Sequence, residues 1–279
     1  MSISSCRRVV LVVLDGLRPD AIDAFDLSHL RTLELVGAST RSGSTVSPPV
    51  TAAAMGSLLT GVHPSAHGLT SDRFHIPHSA AGVVPLPSTL RRAGFTTSAF
   101  LAQPPLLYRR LGRALAVRLG VDRPCFVGRC AEEIVAAAEG TFATQRSGLM
   151  ILHLPDADVA GHAWGWMSRE YGIAARQLDA AVGAVMRCTL EDIRDSLLVV
   201  CADHGGGGQR IDDHESSHPL DMTIPILLAG SGVAMGTRLD AVNITDIPAT
   251  ILAALRVPQP ASYVGCPLTQ AFTVAAAAA

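Results

Sequence analysis

Three apolar runs in this sequence each lead directly into aspartate-bearing segments, and no other feature constrains the fold as strongly. In chain order they are residues 9–14 before Asp15, 149–154 before Asp156 and Asp158, and 197–202 before Asp203. Short apolar runs rich in β-branched residues indicate buried strands of a mostly parallel sheet. Ligands bind beyond the carboxyl ends of such strands, where the loops converge. We therefore expect these aspartates to lie close together.

The rest of the chain alternates helical and extended patterns, which predicts a doubly wound α/β fold with helices on both faces of a mostly parallel sheet. Predicted helices are 26–37, 51–59, 87–93, 106–119, 132–144, 168–189 and 245–255, further strands are 95–101 and 223–229, and predicted loops are 39–50 and 63–87. Composition does not change along the 279 residues. We expect a single domain over residues 1–279, with 275–279 as a disordered tail.

Composition excludes several classes of protein and partner. Charged residues make up 16% of the chain and hydrophobic residues 48%, so we expect a large core, and a homo-oligomer remains open. A net charge of −2 offers no positive excess for a nucleic-acid partner. No apolar stretch approaches the ~20 residues of a membrane span, and no secretory signal is recognisable. These absences lead us to expect a cytoplasmic protein that does not bind membranes.

Cysteine and lysine usage narrows the chemistry further. The six cysteines are scattered, without the spacing of a disulfide framework or a thiolate metal site. We expect them to be buried thiols. All 22 basic residues are arginine, so the chain lacks the ε-amine that a Schiff base or a Walker motif requires.

Several residues after the three predicted strands are of the types that bind divalent metal ions. Asp158 and His162 are four residues apart, so one helical turn would place both on one side. His204 follows Asp203 directly, and the glycines at 205–208 allow the turn that both would need to bind one ion. His214, in the loop beyond, is a candidate for a further ligand. Asp15 is either another ligand or a helix cap, because a buried carboxylate is costly unless it is compensated.

A candidate nucleophile, Thr51, stands at the predicted start of a helix. It follows Pro48-Pro49-Val50 and precedes good helix formers. Free backbone N–H groups and the helix dipole at such a position favour anions, including a phosphoryl oxygen and a threonine alkoxide. The backbone N–H groups of Ala52 and Ala53 could then hold a non-bridging oxygen. An ordinary N-cap threonine is the alternative interpretation.

Together, these segments resemble one known family in an ordered set. The segments that carry the resemblance are 13–20 (VLDGLRPD), 48–51 (PPVT), 58–64 (LLTGVHP), 67–68 (HG), 158–162 (DVAGH), 203–205 (DHG), 214 (H), 222–225 (MTIP) and 245–252 (TDIPATIL). The chain resembles the type I phosphodiesterase/nucleotide pyrophosphatase family of the alkaline phosphatase superfamily. The resemblance runs from Arg8 to about Leu268 and implies an alkaline-phosphatase-like fold.

The resemblance also implies a function and a set of roles. One divalent metal ion would be held by Asp15, Thr51, Asp203 and His204, and a second by Asp158, His162 and His214. Mixed imidazole and carboxylate ligands suit zinc, with manganese or iron as alternatives. The implied enzyme cleaves phosphodiester or pyrophosphate-type bonds of a small molecule through a phosphothreonine at Thr51. A phosphomonoesterase, a phosphonate hydrolase and a non-catalytic metal-binding relative are the alternatives.

Some residues near these motifs allow two interpretations. Arg73 or Arg18 could supply a further contact to the substrate, although a solvated side chain is the more common role of an arginine in such a position. Trp164 and Trp166 could stack on an aromatic leaving group or belong to the packing. His153, inside a predicted strand, is interpreted as a core or wall residue, and Asp156 as a turn residue.

Overall fold

The computed structural model describes residues 3–72, 80–190 and 195–273. For Leu107 it describes the backbone and not the side chain. Its strands are β1 (Arg8–Leu14), β2 (Ala38–Ser44), β3 (Thr97–Leu101), β4 (Arg123–Phe126), β5 (Gly148–Leu154), β6 (Ser196–Ala202), β7 (Thr223–Gly230) and β8 (Thr237–Arg238). They form one sheet in the order β4-β3-β5-β1-β6-β7-β2-β8. β7 pairs antiparallel with β6 and β2, and every other pairing is parallel. The predicted mostly parallel α/β fold is confirmed.

Helices cover the sheet in two packed groups. The helices are α1 (Ala21–Ala24), α2 (Ser28–Val36), α3 (Thr51–Thr60), α4 (Pro64–His67), α5 (Leu86–Arg92), α6 (Arg109–Leu119), α7 (Ala131–Thr144), α8 (Asp156–Trp164), α9 (Arg169–Leu190), α10 (Pro219–Met222) and α11 (Asp246–Ala254). In one group α9 contacts α2, α7 and α8, and in the other α3 contacts α4, α5 and α11. Burial under both layers explains why the central strands are continuously apolar.

The central strands bring the three aspartate-bearing ends to one level. β1 lies between β5 and β6, and its last residue, Leu14, pairs with Leu154 on one side and Ala202 on the other. All three strands are buried along their whole length. The chain therefore leaves the sheet at three adjacent points, as the sequence predicts. These points are Asp15, the segment after Leu154, and Asp203.

Three strands lie where the sequence does not predict them, and the shortest of these, β8, has two residues. β2 falls mostly within 39–50, which was predicted to be a loop because Ser, Thr and Pro dominate it. Pairing with β7 makes it a strand, and the register shifts between Thr40 and Gly43, a bulge that breaks any simple alternation. β4 has only four residues and contains Pro124, which is tolerated because this strand is at the edge of the sheet.

Other predicted segments need smaller corrections. The predicted loop 63–87 contains α4 and the start of α5, and the predicted helix 106–119 begins as a 3₁₀ turn at Leu106–Tyr108 before α6. The predicted tail 275–279 lies outside the described residues. Among the helices that the structure describes, none is both long enough and apolar enough to cross a bilayer.

Trp166 belongs to the core rather than to a stacking surface. Its side chain is 1% exposed, and its indole Nε1–H donates to the carbonyl oxygen of Gly16 at 2.9 Å. The indole also packs so closely on α8 that a Cβ at Gly161 would lie 2.6 Å from the ring. The stacking interpretation is therefore wrong for Trp166. It stays open for Trp164, which is 66% exposed.

We expect Trp166→Ala to lower the free energy of unfolding by about 3–5 kcal/mol, because the change leaves a large cavity and removes one of the two hydrogen bonds that the Gly16 carbonyl accepts. Urea denaturation followed by circular dichroism measures the loss. Trp164→Ala is the matched control and should change the free energy by no more than about 0.5 kcal/mol. Equal destabilisation by the two substitutions would contradict this account of the packing.

Candidate active site

Thr51 is the first residue of α3, and its hydroxyl is directed toward two of the predicted ligands. Its Oγ1 lies 3.4 Å from Asp15 Oδ1 and 3.2 Å from His204 Nε2. The N-cap position belongs to Val50, which makes no side-chain capping hydrogen bond. The ordinary N-cap interpretation of Thr51 is therefore wrong.

Asp15, Asp203 and His204 form a buried cluster around this hydroxyl. His204 Nε2 lies 3.3 Å from Asp15 Oδ1 and 3.8 Å from Asp203 Oδ2. The other carboxylate oxygen of Asp203 accepts the backbone N–H groups of Gly16 and His204, which fixes the carboxylate plane. The turn that directs both Asp203 and His204 inward requires glycine at 205, because a Cβ there would collide with the carbonyl oxygen of Leu220.

A second cluster, made of Asp158, His162 and His214, lies beside the first. His162 Nε2 is 3.4 Å from Asp158 Oδ1 and 3.2 Å from His214 Nε2, and His214 Nε2 is 3.6 Å from Asp158 Oδ1. The rings of His204 and His214 stack with centroids 3.8 Å apart, which joins the two clusters. The structure thus brings together every residue that the sequence proposed as a metal ligand.

Backbone carbonyls orient all three imidazole rings. Nδ1 lies 2.9 Å from Asp212 O in His162, 2.9 Å from Gly205 O in His204 and 2.8 Å from Pro49 O in His214. A carbonyl oxygen can only accept, so each Nδ1 carries the hydrogen and each Nε2 is directed to the cluster. This arrangement is typical of histidines that bind metals through Nε2.

The residues present fit divalent cations. Asp158 Oδ1 and Asp203 Oδ2 are buried, yet they have no hydrogen-bond partner in the part of the chain that the structure describes. Ligand atoms about 2.0–2.1 Å from a tetrahedral ion are about 3.3 Å apart, close to the 3.2–3.6 Å spacings within the second cluster. Asp15, Asp203 and His204 likewise offer ligand atoms within 4.8 Å of one another, as do Asp158, His204 and His214.

Electrostatics also indicate a site for positive charge. Burial, together with the charges of Asp203 and Asp158, raises the pKa of Asp15 to about 7. Burial would lower the pKa of His204, but the charge of Asp203 and the contact with Asp15 raise it well above its usual value. Asp15 therefore holds a proton more readily than an ordinary carboxylate, and a divalent cation could take the place of that proton.

His153, which the sequence analysis interprets as a core or wall residue, lies buried beside the site. Its Nε2 lies 3.5 Å from Asp15 Oδ2 and 3.7 Å from Asp203 Oδ2. The side chain is buried and Nε2 has no hydrogen-bond partner among the described residues. The available signal was its position one residue before the end of β5, a strand whose carboxyl end was already predicted to face the site.

The remaining candidates lie elsewhere or have other partners. Asp156 accepts the N–H of Ala131 at the start of α7. Arg18 pairs with Asp20 and donates to the carbonyl oxygen of Gly206, so the idea that it contacts substrate is not favoured. Arg73 lies outside the described residues. The N–H of Ala52 donates to Asp72 Oδ1 at 2.7 Å, a partner that the sequence did not indicate.

The sequence and the fold of this chain are both similar to those of known proteins. The sequence model of the family described as type I phosphodiesterase / nucleotide pyrophosphatase matches residues 9–223. An inactive variant of murine ectonucleotide pyrophosphatase / phosphodiesterase 5 in complex with AMP superposes with a TM-score of 0.74 at 14% identity, covering 96% of this chain and 100% of that chain. A phosphonate monoester hydrolase from Silicibacter pomeroyi gives 0.69 at 16% identity, covering 94% and 76%. At these identities the similarity concerns the fold.

One curated relative also matches in sequence. A 2,3-bisphosphoglycerate-independent phosphoglycerate mutase from Cyanothece sp. is 29% identical over 153 residues, which are 51% of this chain. The match spans only 27% of the mutase. The activity of that whole enzyme is therefore no guide to the reaction of this chain.

Proposed function

Because the chain belongs to the type I phosphodiesterase / nucleotide pyrophosphatase family of the alkaline phosphatase superfamily, we propose that it hydrolyses phosphodiester or pyrophosphate-type bonds of a small molecule with two bound metal ions. Family membership indicates a hydrolase acting on phosphate esters. The observation that supports this two-metal cleavage reaction most directly is the position of the Thr51 hydroxyl, which lies 3.4 Å from the Asp15 carboxylate and 3.2 Å from the His204 ring. A free hydroxyl among candidate metal ligands is what nucleophilic attack on phosphorus requires.

Each cluster would hold one ion. Asp15, Asp203 and His204, with Thr51, would hold the first, and Asp158, His162 and His214 the second. This donor set of imidazole and carboxylate suits zinc, with manganese or iron as alternatives. When bound, such ions polarise phosphoryl oxygens and lower the pKa of a coordinated hydroxyl.

The side chains of this site account for the remaining chemistry. Thr51 Oγ1 loses its proton and attacks phosphorus, the bond to the leaving oxygen breaks, and that oxygen departs with the electron pair and takes up a proton. Water then attacks the phosphothreonine, which releases phosphate or a phosphate monoester and restores the hydroxyl. In the murine structural relative, an exchange of one threonine for alanine gave the inactive variant, which supports a threonine nucleophile.

An assay of metal-loaded protein on an aryl phosphodiester, an aryl phosphomonoester and an aryl phosphonate monoester tests the proposal. We expect the diester to be cleaved with the highest kcat/KM. Preference for the monoester would make the protein a phosphatase, and preference for the phosphonate would match the hydrolase from Silicibacter pomeroyi. Absence of turnover with two metals bound would indicate a non-catalytic relative.

We expect His153→Phe to weaken metal binding about 10–100-fold, the usual cost of losing a residue that orients metal ligands. His153 faces the Oδ2 atoms of Asp15 and Asp203, and we propose that it holds these carboxylates in place. Competition with a chromogenic chelator measures the affinity. His29→Phe, a change on α2 where His29 contacts Asp179, is the control, and equal affinities in both variants would refute the role of His153.

Three further expectations stay predictions. They are a single domain over residues 1–279, a cytoplasmic location, and a small-molecule substrate without a nucleic-acid or membrane partner. All six cysteines are free thiols, but the prediction that they are buried is correct only for Cys6 and Cys201, since Cys266 is exposed and the other three are partly buried. A homo-oligomer stays open.

A further inference from the structure

Asp72 lies against the nucleophile helix, where no sequence motif indicated a functional residue. Its Oδ1 accepts the backbone N–H of Ala52 at 2.7 Å, and Ala52 directly follows Thr51. After α4 the chain thus returns to the N-terminus of α3 and presents a carboxylate there. Asp72 itself is exposed, so substrate and solvent can reach its carboxylate.

The N–H of Ala52 is also a donor that a phosphoryl group on Thr51 would use. Backbone amides at a helix N-terminus favour anionic oxygens, and the contact with Asp72 shows that an anionic oxygen fits at this amide. A phosphoryl oxygen at Thr51 must therefore either displace the Asp72 carboxylate or lie beside it. In both cases the charge of Asp72 acts on the charge of the substrate.

The charge count of the proposed centre makes this effect selective. Two divalent ions contribute +4, the three aspartates −3 and an ionised Thr51 −1, which sum to zero. Asp72 adds −1. A phosphodiester carries one negative charge and a phosphomonoester up to two, and repulsion scales with the product of the charges, so Asp72 opposes the monoester more strongly.

We propose that Asp72 is a specificity-determining residue that favours monoanionic diesters over dianionic monoesters at Thr51. This inference rests on the proposed function, since it concerns substrates of the same hydroxyl. It assigns to Asp72 a role based on charge rather than on shape.

Asp72→Asn tests the proposal because it removes the charge and keeps an oxygen that can accept the Ala52 N–H. We expect the ratio of kcat/KM for an aryl monoester to that for an aryl diester to rise about tenfold, the order of magnitude of one nearby unit charge. Inorganic phosphate should bind the metal-loaded variant about tenfold more tightly by isothermal titration calorimetry. Asp72→Ala should shift both values in the same direction, since it also removes the charge.

Asp240→Asn is the matched control, because Asp240 is exposed beyond β8 at the sheet edge opposite β4. It should leave both values unchanged. An unchanged substrate ratio and unchanged phosphate affinity in Asp72→Asn would overturn the proposal. The calorimetric titration requires no turnover, so it decides the role of Asp72 even if wild-type protein cleaves no diester, a result that would count against the proposed function instead.

Discussion

Thr51→Ala is expected to lower kcat/KM for a phosphodiester by at least about 10³-fold, because the substitution removes the atom that attacks phosphorus. The hydroxyl lies between Asp15 and His204, whereas the hydroxyl of Thr45, which also contacts a cluster residue, donates to the backbone carbonyl of Asp203. Thr51→Ser keeps a hydroxyl at nearly the same position and should retain part of the activity.

Steady-state kinetics on metal-loaded protein measures this effect, with metal content determined on the same samples. Thr144→Ala is the control, since Thr144 is exposed at the end of α7, where its Oγ1 donates to the Gly140 carbonyl. Its kcat/KM should equal that of wild-type protein. Diester cleavage by Thr51→Ala at the wild-type rate would exclude Thr51 as the nucleophile.

Asp158→Asn is expected to reduce bound metal from about two equivalents to about one and to lower kcat/KM at least about 10²-fold. Asp158 Oδ1 contacts both His162 and His214. A neutral amide in its place removes the negative charge that offsets a divalent cation, and loss of a metal that stabilises the leaving oxygen raises the barrier to cleavage.

Inductively coupled plasma mass spectrometry after dialysis measures the metal content. Asp156→Asn is a close control, because Asp156 lies two residues earlier on the same helix and accepts the N–H of Ala131 instead of facing a cluster. It should keep both equivalents and its activity. Two tightly bound equivalents in Asp158→Asn would contradict the ligand role of Asp158.

The central strands were predictable because a strand that is buried on both faces consists almost entirely of apolar residues. β1, β5 and β6 are continuous apolar runs, and each ends where the next polar segment begins. β2 has no such apolar pattern. Its Ser, Thr and Gly residues suit a loop equally well, and only pairing with β7 makes them a strand.

The candidate site was predictable to the extent that its residues stand directly after strands or beside them in the chain. Asp15, Asp158 and Asp203 follow the three central strands, so parallel register alone brings them together. The place of His153 beside the site was not predicted because a histidine inside a strand gives no sign of which face it occupies. Asp72 was missed because its contact depends on how the chain returns from α4, 20 residues after Ala52.

A crystal structure of the metal-loaded protein, with anomalous diffraction collected at the absorption edge of the bound metal, would show whether the two clusters hold metal ions beside Thr51. We expect two anomalous peaks. One lies about 2.0–2.2 Å from ligand atoms of Asp15, Asp203 and His204 and next to Thr51 Oγ1, and the other at the same distances from Asp158, His162 and His214. Peaks bound by other residues, or a Thr51 hydroxyl directed away from both ions, would contradict this expectation.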